Sequence, residues 1–228
     1  MLELYSEATP NGLKVSIALE EMELEYTTHQ IYLGGMQSTP EFTDLNPNQK
    51  IPVLVDDDYV LTESGAILIY LAEKTGKFLP QSHKARSKTI EALMFQMGSL
   101  GPMFGQYLVF AAAWQNKFPD VTNRYFSEVS RIMGVLNTHL ENQDYLAGDT
   151  YTIADMAVAP WIRLCTIHPA CLDLPLEQNA NLKAWWDRVS ARPATQRGFA
   201  NPAPFPPEKQ FEGFVKAVVG LGDIHPKI

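Results

Sequence analysis

Residues 9–12, which read Thr-Pro-Asn-Gly, carry the most informative chemistry of the chain. They follow a short strand-like stretch, Leu2–Tyr5, and lead into an amphipathic helical run, Asn11–Met22. The N–H groups and the dipole of a helix N-terminus favour an anion, and they lower the pKa of a thiol that lies there. This turn contains no cysteine. A thiolate handled at the turn must therefore belong to a small molecule that the protein binds.

Two side chains of this turn are the candidate catalytic groups. The Thr9 hydroxyl and the Asn11 N–H or amide could donate hydrogen bonds to a bound sulfur. Both residue types are also common in turns and caps, and the two roles are compatible. Ser6 is a further possible donor, whereas Tyr5 lies within the strand and is expected to belong to the core.

Composition and charge limit the class of protein. The chain has 228 residues, of which 46% are hydrophobic, enough for one large or two small domains. Its net charge of −8, with no basic block, argues against nucleic acid or an acidic membrane as the main partner. No signal-like leader and no apolar run near the roughly 20 residues of a membrane span occur, so we expect a cytoplasmic protein.

The cysteines and histidines also limit the class of protein. Cys165 and Cys171 are the only cysteines, too few for a disulfide framework, which indicates a reducing compartment. The five histidines are scattered and lack the short spacings that place two ligands on one helix face or hairpin. We therefore expect no metal site.

The first 77 residues mix strand and helix patterns. The strand-like segments are Leu2–Tyr5, Glu25–Ile31, Ile51–Val55 and Tyr59–Leu61. Apolar residues at i, i+3, i+4 and i+7 predict a helix over Asn11–Met22, and Ser64 and Gly76 mark the start and end of a second. The order β-α-β followed by β-β-α is that of a thioredoxin-like domain.

After a predicted linker at 78–86, the pattern becomes helical. Helices are predicted at 85–115, 121–142, 152–167 and 178–191. Thr152-Ile153-Ala154-Asp155 forms a capping box in which aspartate replaces the usual glutamate. The pattern predicts an α/β domain over 1–77 and an all-α domain over 87–200.

Residues 201–228 form a separate tail. Its first part is rich in proline, which predicts an extended connector. Phe211, Phe214, Val215 and Val218 then recur at i, i+3, i+4 and i+7, which predicts a helix with one apolar stripe. We expect this helix to pack back onto the protein, on the α-domain or beside the entrance to a substrate pocket.

Several motifs together resemble the cytosolic glutathione transferases over nearly the whole chain. They are Asn48–Pro52, Glu63–Ile67, Tyr70-Leu71 and Thr152–Asp155. Thr9–Gly12 with Gly98–Met103 resembles the nu class, which is related to the nitrogen-regulator prion protein of yeast and to bacterial disulfide-bond reductases. The resemblance implies an α/β thioredoxin-like N-terminal domain, an all-α C-terminal domain, glutathione as co-substrate and a homodimer.

The resemblance also implies where glutathione would bind. Ile51-Pro52 resembles the cis-proline turn that pairs with the cysteinyl backbone of glutathione as an added strand. Ser64 and the helix N–H groups suit the γ-glutamyl carboxylate, and Glu63 suits its ammonium. The alternative for Glu63 and Ser64 is an ordinary helix cap.

Three further residues are assigned to glutathione. Gln37 and Lys50 are candidates for the glycyl end, with Lys50 as the partner of its carboxylate. Arg124 matches a position that reaches glutathione in the nu-class relatives. A solvated or ion-paired surface group is the alternative for Lys50 and Arg124.

A second pocket is expected above the sulfur. Met103, Phe104 and Tyr107 recur at helical spacing, together with Phe110 and Trp114, and could line it. The alternative is that this stripe of methionine and aromatic residues belongs to the core.

The turn without cysteine and the resemblance together favour glutathione-dependent thiol–disulfide exchange in which both electrons come from glutathione. The same activated sulfur could instead attack electrophiles or reduce organic peroxides. A non-catalytic binding or regulatory module is a third possibility, because this fold does not by itself specify an activity.

Overall fold

A four-stranded sheet frames the N-terminal region in the computed structural model, which describes residues 1–219. Its strands are β1 (Leu2–Ser6), β2 (Tyr26–Gln30), β3 (Val53–Asp56) and β4 (Tyr59–Thr62). They lie in the order β2-β1-β3-β4, with β1 and β2 parallel and the other pairs antiparallel. Helix α1 (Pro10–Glu21) connects the parallel pair. The predicted thioredoxin-like arrangement is confirmed.

The turn from β1 into α1 is unusually tight. Thr9 is the N-cap of α1, and its side chain accepts a hydrogen bond from the Gly12 N–H. A Cβ atom at Gly12 would lie 2.2 Å from Ser6 Oγ and 2.3 Å from the Glu7 carbonyl oxygen. Because backbone atoms form part of this contact, only glycine fits at this position.

Nine further helices complete the described part of the chain. They are α2 (Pro40–Leu45), α3 (Ser64–Thr75), α4 (His83–Phe95), α5 (Gly101–Leu108), α6 (Pro119–His139), α7 (Ile153–Ile167), α8 (Ala180–Ser190), α9 (Pro193–Ala200) and α10 (Pro207–Val219). The π-helical segment Gln96–Leu100 joins α4 to α5, and a second one, Val109–Ala113, extends α5, so that together they form the long helix predicted at 85–115. The short helices α2 and α9 were not predicted, since each is too brief to show a period. The α3–α4 connection spans 76–82, and the boundaries 77 and 86 stay predictions.

Helix α1 joins the sheet region to the α-helical region by packing against α7 and α9. A Cβ at Gly198 would lie 2.6 Å from the Ile17 Cα, so the backbones of α9 and α1 nearly touch there. At the end of α1, Glu21 accepts two hydrogen bonds from Arg192, at 2.7 and 2.6 Å. These contacts fix the N-terminus of α1 relative to the helices opposite it.

The capping box predicted at the start of α7 is present. Asp155 is completely buried, and its carboxylate accepts hydrogen bonds from the N–H groups of Thr152 and Leu146, both at 2.9 Å. The Trp185 indole N–H donates to it as well, at 2.8 Å. A buried carboxylate with several donors stays satisfied without a counter-ion, so Asp155 anchors α7 against α8.

Helix α10 crosses back over the protein, as the apolar stripe of the tail predicted. It packs against the π-helical segment Val109–Ala113, and the Gln210 amide donates to the Ala8 carbonyl at 3.2 Å. The predicted tail continues to residue 228, and 220–228 lie outside the described residues. Among residues 1–219, no helix combines the length and apolar character needed to cross a membrane.

Candidate active site

A cavity of about 1010 Å³ lies where the turn before α1 faces α7 and α10. The sheet side contributes Glu7, Thr9, Asn11, Gln37, Lys50 and Ile51. The helical side contributes Gly105, Leu108, Arg163, Ile167, Phe211 and Phe214, among others. Small-molecule sites measure about 300–1,000 Å³, so this cavity lies at the upper end of that range.

Thr9 and Asn11 both border the cavity at the N-terminus of α1. The Thr9 hydroxyl oxygen accepts from the Gly12 N–H at 3.4 Å, which leaves its own hydrogen free to be donated. Asn11 is exposed, and its amide has no hydrogen-bond partner among residues 1–219. The Asn11 N–H is the one N–H group of the first helical turn with no partner among residues 1–219, since Pro10 has none and those of Gly12 and Leu13 bond to Thr9. Together these donors form a site for an anion such as a thiolate.

Glu7 is a cavity residue that sequence reasoning missed. Its side chain is almost fully buried and accepts a hydrogen bond from the Leu33 N–H at 2.9 Å. Burial raises the pKa of Glu7, while that hydrogen bond and the charge of Lys209 act in the opposite direction. The signal in the sequence was a carboxylate at the end of a buried strand, two residues before Thr9.

The residues assigned to the glutathione backbone and the glycyl end lie on the sheet side. The Ile51–Pro52 bond is cis, as expected, and Lys50 and Ile51 line the cavity while Pro52 is buried behind them. Gln37 also lines the cavity, but its amide donates to the Leu33 carbonyl at 2.7 Å. The Gln37 side chain therefore shapes its own loop.

Glu63 and Ser64 lie at the N-terminus of α3, outside the wall of the large cavity. The sequence predicted Ser64 as the cap, but the cap position is occupied by Glu63, whose side chain makes no capping bond. Ser64 instead accepts a hydrogen bond from the ammonium of Lys14 at 3.2 Å. The reason is that Ser64 is buried inside the first turn, where its hydroxyl faces α1.

Lys14 is a second group that sequence reasoning missed. It is buried, and it donates to Gln96 Oε1 at 2.6 Å as well as to Ser64. Burial lowers the pKa of Lys14 to about 7, and the negative charge of Glu63 opposes this shift. Lys14 thus connects α1, α3 and the π-helical segment after α4 through one titratable ammonium.

Arg124 does not reach the cavity within a single chain. It is exposed on α6, and its guanidinium lies 3.5 Å from the Glu128 carboxylate. The structure therefore brings Thr9, Asn11, Gln37, Lys50 and Ile51 together and leaves Arg124 apart from them.

The predicted pocket stripe of Met103, Phe104 and Tyr107 requires a correction, because none of the three lines the cavity. Phe104 is fully buried, and the Tyr107 hydroxyl donates to the Ala170 carbonyl at 2.6 Å. Met103 packs against the core. Helix α5 presents Gly105 and Leu108 to the cavity, since its large side chains fill the space towards α6 and α7.

Two alternative sulfur donors also lie away from the cavity. The Tyr5 hydroxyl donates to Glu3 at 3.1 Å, and its ring stacks on His29. Ser6 is completely buried and donates to the Glu7 carbonyl at 3.3 Å. Neither hydroxyl is available to a ligand in the cavity, which leaves Thr9 and Asn11 as the candidates.

Both protein thiols are inaccessible. Cys165 and Cys171 are buried, and burial raises the pKa of Cys165 to about 12 and that of Cys171 well above its usual range. A thiol with so high a pKa supplies almost no thiolate near neutral pH. Within residues 1–219 no group of histidine, cysteine and acidic side chains is arranged to hold a metal ion.

Sequence families match both halves of the chain. Residues 1–73 match the glutathione S-transferase N-terminal domain, and residues 100–193 match the corresponding C-terminal domain. The chain belongs to the glutathione transferase family. It is 42% identical over 203 residues to the disulfide-bond oxidoreductase YfcG of Escherichia coli, covering 86% of this chain and 93% of that protein. To YghU of the same organism, also named a disulfide-bond oxidoreductase, it is 39% identical over 214 residues, covering 86% of this chain and 73% of that protein.

Solved structures of other family members share the fold. A glutathione transferase family member from Pseudomonas fluorescens, with two glutathione molecules bound, has a TM-score of 0.83 and 43% identity, covering 87% of this chain and 92% of that one. A glutathione transferase from Pseudomonas putida, with one glutathione disulfide bound per subunit, has a TM-score of 0.84 and 40% identity, covering 88% and 91%. The expected family and the two-part architecture are both confirmed.

Proposed function

We propose that this glutathione transferase family member is a glutathione-dependent thiol–disulfide oxidoreductase that uses no cysteine of its own. The observation that carries the proposal is a cavity at the N-terminus of α1 that offers hydrogen-bond donors but no protein thiol. The names of the two Escherichia coli relatives support it, as do the glutathione and the glutathione disulfide bound in structures of other family members. Glutathione is the co-substrate in this proposal.

The donors at the cavity would activate the glutathione sulfur by favouring its thiolate. Thr9 donates its free hydroxyl hydrogen, and Asn11 donates its amide or its N–H. Each hydrogen bond to a charged group contributes about 1.5–3 kcal/mol, and one pKa unit corresponds to about 1.4 kcal/mol. One donor is therefore enough to lower the pKa of the bound thiol by one to two units.

The exchange then proceeds in two balanced steps. The bound thiolate attacks one sulfur of the disulfide, so that a mixed disulfide with glutathione forms and the other half leaves as a thiolate, which takes up a proton. A second glutathione thiolate attacks the mixed disulfide, releasing the remaining thiol and forming glutathione disulfide. Two glutathione molecules supply both electrons, and the volume of about 1010 Å³ is sufficient for both partners of either step.

The remaining glutathione contacts are part of the same proposal. The backbone of Ile51, before cis Pro52, pairs with the cysteinyl residue, and Lys50 pairs with the glycyl carboxylate. The N–H groups at the start of α3, including that of Ser64, bind the γ-glutamyl carboxylate, while the Ser64 hydroxyl stays bonded to Lys14 on α1. Glu63 binds the γ-glutamyl ammonium. The ammonium of Lys14, 3.2 Å from Ser64 Oγ, adds a positive charge behind that site.

Arg124 would contribute from a second copy of the chain. It is exposed on α6 and away from the cavity of its own chain, so a role in glutathione binding requires a homodimer. Light scattering should then give twice the mass of one chain, and Arg124→Ala should raise the KM for glutathione. A monomeric protein whose Arg124→Ala variant keeps the wild-type KM would contradict this part of the proposal.

A comparison of three second substrates tests the function. Hydroxyethyl disulfide, an organic hydroperoxide and an aryl halide report reductase, peroxidase and conjugating activity respectively, each corrected for its uncatalysed rate. We expect the largest enhancement for the disulfide. A larger enhancement for the halide or the peroxide would instead assign conjugation or peroxide reduction. Background rates for all three, in a protein that binds glutathione, would show a binding module.

A further inference from the structure

Arg163 differs from every other arginine of the chain. Six of the seven arginines lie within 4.0 Å of a carboxylate: Arg86, Arg124, Arg131, Arg188, Arg192 and Arg197. Arg163 has no such partner among residues 1–219, and its guanidinium donates no hydrogen bond there. It is half-buried on α7 and borders the cavity.

The guanidinium of Arg163 lies against an aromatic ring. Its central carbon lies over the Phe199 ring, 4.5 Å from the ring centre, which is a cation–π contact. Such a contact uses no N–H group, so the edge of the guanidinium can still bind a carboxylate with two parallel hydrogen bonds.

Partial burial makes an unpaired cation at this position unfavourable. Desolvation alone lowers the pKa of Arg163, with no acidic group acting against it. Arginine nevertheless stays protonated in proteins, so the guanidinium is charged and partly desolvated with no carboxylate to compensate the loss of hydration free energy. A ligand carboxylate would offset that cost.

The surroundings of Arg163 require an apolar ligand body. Ile167, Phe211 and Val218 are 54%, 42% and 38% exposed, and all three line the same cavity. Large apolar side chains exposed in one concave site typically mark a ligand surface. Two of the three come from α10, which closes this side of the cavity.

We propose that Arg163 binds a carboxylate of the second substrate, so that the cavity selects disulfides with an anionic group on an apolar body. This inference rests on the proposed reductase function for its substrate class. The anion site itself rests on the unpaired guanidinium, its cation–π contact with Phe199 and the apolar wall beside it.

A matched pair of disulfides tests the selection. Bis(4-carboxyphenyl) disulfide and bis(4-carbamoylphenyl) disulfide have nearly the same shape and differ in charge. With each kcat/KM divided by the uncatalysed rate with glutathione, the wild type should prefer the acid. Arg163→Gln should reduce kcat/KM for the acid about 10- to 100-fold, mainly through KM, and leave the amide within a factor of about two.

Control variants separate a local effect from a change in net charge or fold. Arg86→Gln removes an equal charge from α4 at a residue that does not line the cavity, and it should keep the preference for the acid. Arg163→Lys should retain part of the preference for the acid that Arg163→Gln loses, because lysine keeps the charge but lacks the planar edge. An unchanged preference in Arg163→Gln, or an equal loss in Arg86→Gln, would overturn the inference.

Binding measured without turnover separates this inference from the proposed function. Bis(4-carboxyphenyl) sulfide, a thioether that cannot be reduced, and its diamide are titrated calorimetrically into the glutathione-loaded protein. The wild type should bind the diacid at least about 10-fold more tightly, and Arg163→Gln should bind both equally. This result would stand even if no disulfide were reduced, whereas equal binding by the wild type would overturn the anion site. A protein truncated after Val219 should keep the preference, and its loss there would overturn the assignment to Arg163.

Discussion

The two walls of the cavity are built in different ways. The sheet side presents backbone groups and polar side chains at turns, represented by the Ile51 backbone and by the side chains of Thr9 and Lys50. The helical side presents apolar side chains on helix faces and, within residues 1–219, one unpaired cation; they are represented by Leu108, Phe211 and Arg163. A site made of turn backbone holds one chemical group in one geometry, whereas side chains on helix faces can change without disturbing the fold. The first wall is therefore suited to the constant partner, glutathione, and the second to the variable one.

The largest expected effect lies on the sheet side. Thr9→Ala removes one donor to the thiolate, so kcat/KM for disulfide reduction should fall roughly 10- to 150-fold. It also removes the cap bond to the Gly12 N–H, which should lower the free energy of unfolding by about 1 kcal/mol. Thr9→Ser retains the hydroxyl and should retain most of the activity. Wild-type rates for Thr9→Ala would assign the sulfur contact to Asn11 or to the helix N–H groups alone.

Removing the tail tests the helical side. Truncation after Asn201 deletes α10, which supplies Phe211, Phe214 and Val218 to the cavity wall. The loss of buried apolar surface, about 1.5–3 kcal/mol for each large side chain fully buried, should lower the melting temperature by several degrees. The KM for bulky disulfides should rise while the KM for glutathione changes little. Unchanged melting and kinetics would show that α10 does not form this wall in solution.

Point substitutions in the full chain provide the control for that truncation. Phe211→Ala removes one exposed side chain of the cavity wall while α10 remains. We expect a smaller rise in the KM for bulky disulfides and almost no change in melting temperature. An equal effect on the KM for glutathione would contradict the division of labour between the two walls.

Lys14 allows a test of pH dependence behind the sheet side. Its pKa is about 7 in the folded protein and about 10.4 in an unfolded chain, so the unfolded state binds more protons between those values. The free energy of unfolding should therefore rise with pH across this window, by at most about 1.4 kcal/mol per pH unit from this group. Lys14→Met should remove that part of the slope, measured by urea unfolding between pH 7 and 9. The exposed Lys88, changed to Met, should keep the wild-type slope, and an unchanged slope in Lys14→Met would refute the assignment.

The two walls also differ in how far the sequence predicts them. Thr9 and the Asp155 capping box follow from local patterns, since each depends on neighbours within a few residues, whereas cis Pro52 was expected from the family resemblance. The sequence predicted Phe104 and Tyr107 as pocket lining, but Gly105 and Leu108, on a different face of the same helix, border the cavity. The face of an apolar helix that borders a cavity depends on α7 and α10, which are distant in sequence.

Single charged residues were the other gap in the prediction. Lys14 and Arg163 each interrupt an apolar run, between Leu13 and Val15 and between Ile162 and Leu164. Periodicity assigns such residues to a solvated face by default. Only the packing of three elements around Lys14, and of Phe199 against Arg163, shows that they face the interior.

The smallest expected effect concerns the protein thiols. Replacing Cys165 and Cys171 with Ala should leave the rate of disulfide reduction within a small factor, because both thiols are buried and protonated. Circular dichroism of the variant should match that of the wild type, as a control that the variant is folded. Loss of most activity in a folded variant would show that a protein thiol takes part in the exchange.

The same cysteine-free variant permits the most direct measurement of the reacting thiolate. With no protein thiol present, the ultraviolet absorbance of thiolate as pH is changed reports bound glutathione once the absorbance of the protein alone and of free glutathione at the same pH has been subtracted. We expect the bound thiol to titrate one to two units below the value of about 8.5 for a free thiol, and Thr9→Ala to move the midpoint back up. A midpoint equal to that of free glutathione, in protein saturated with glutathione, would contradict activation of the sulfur at the N-terminus of α1.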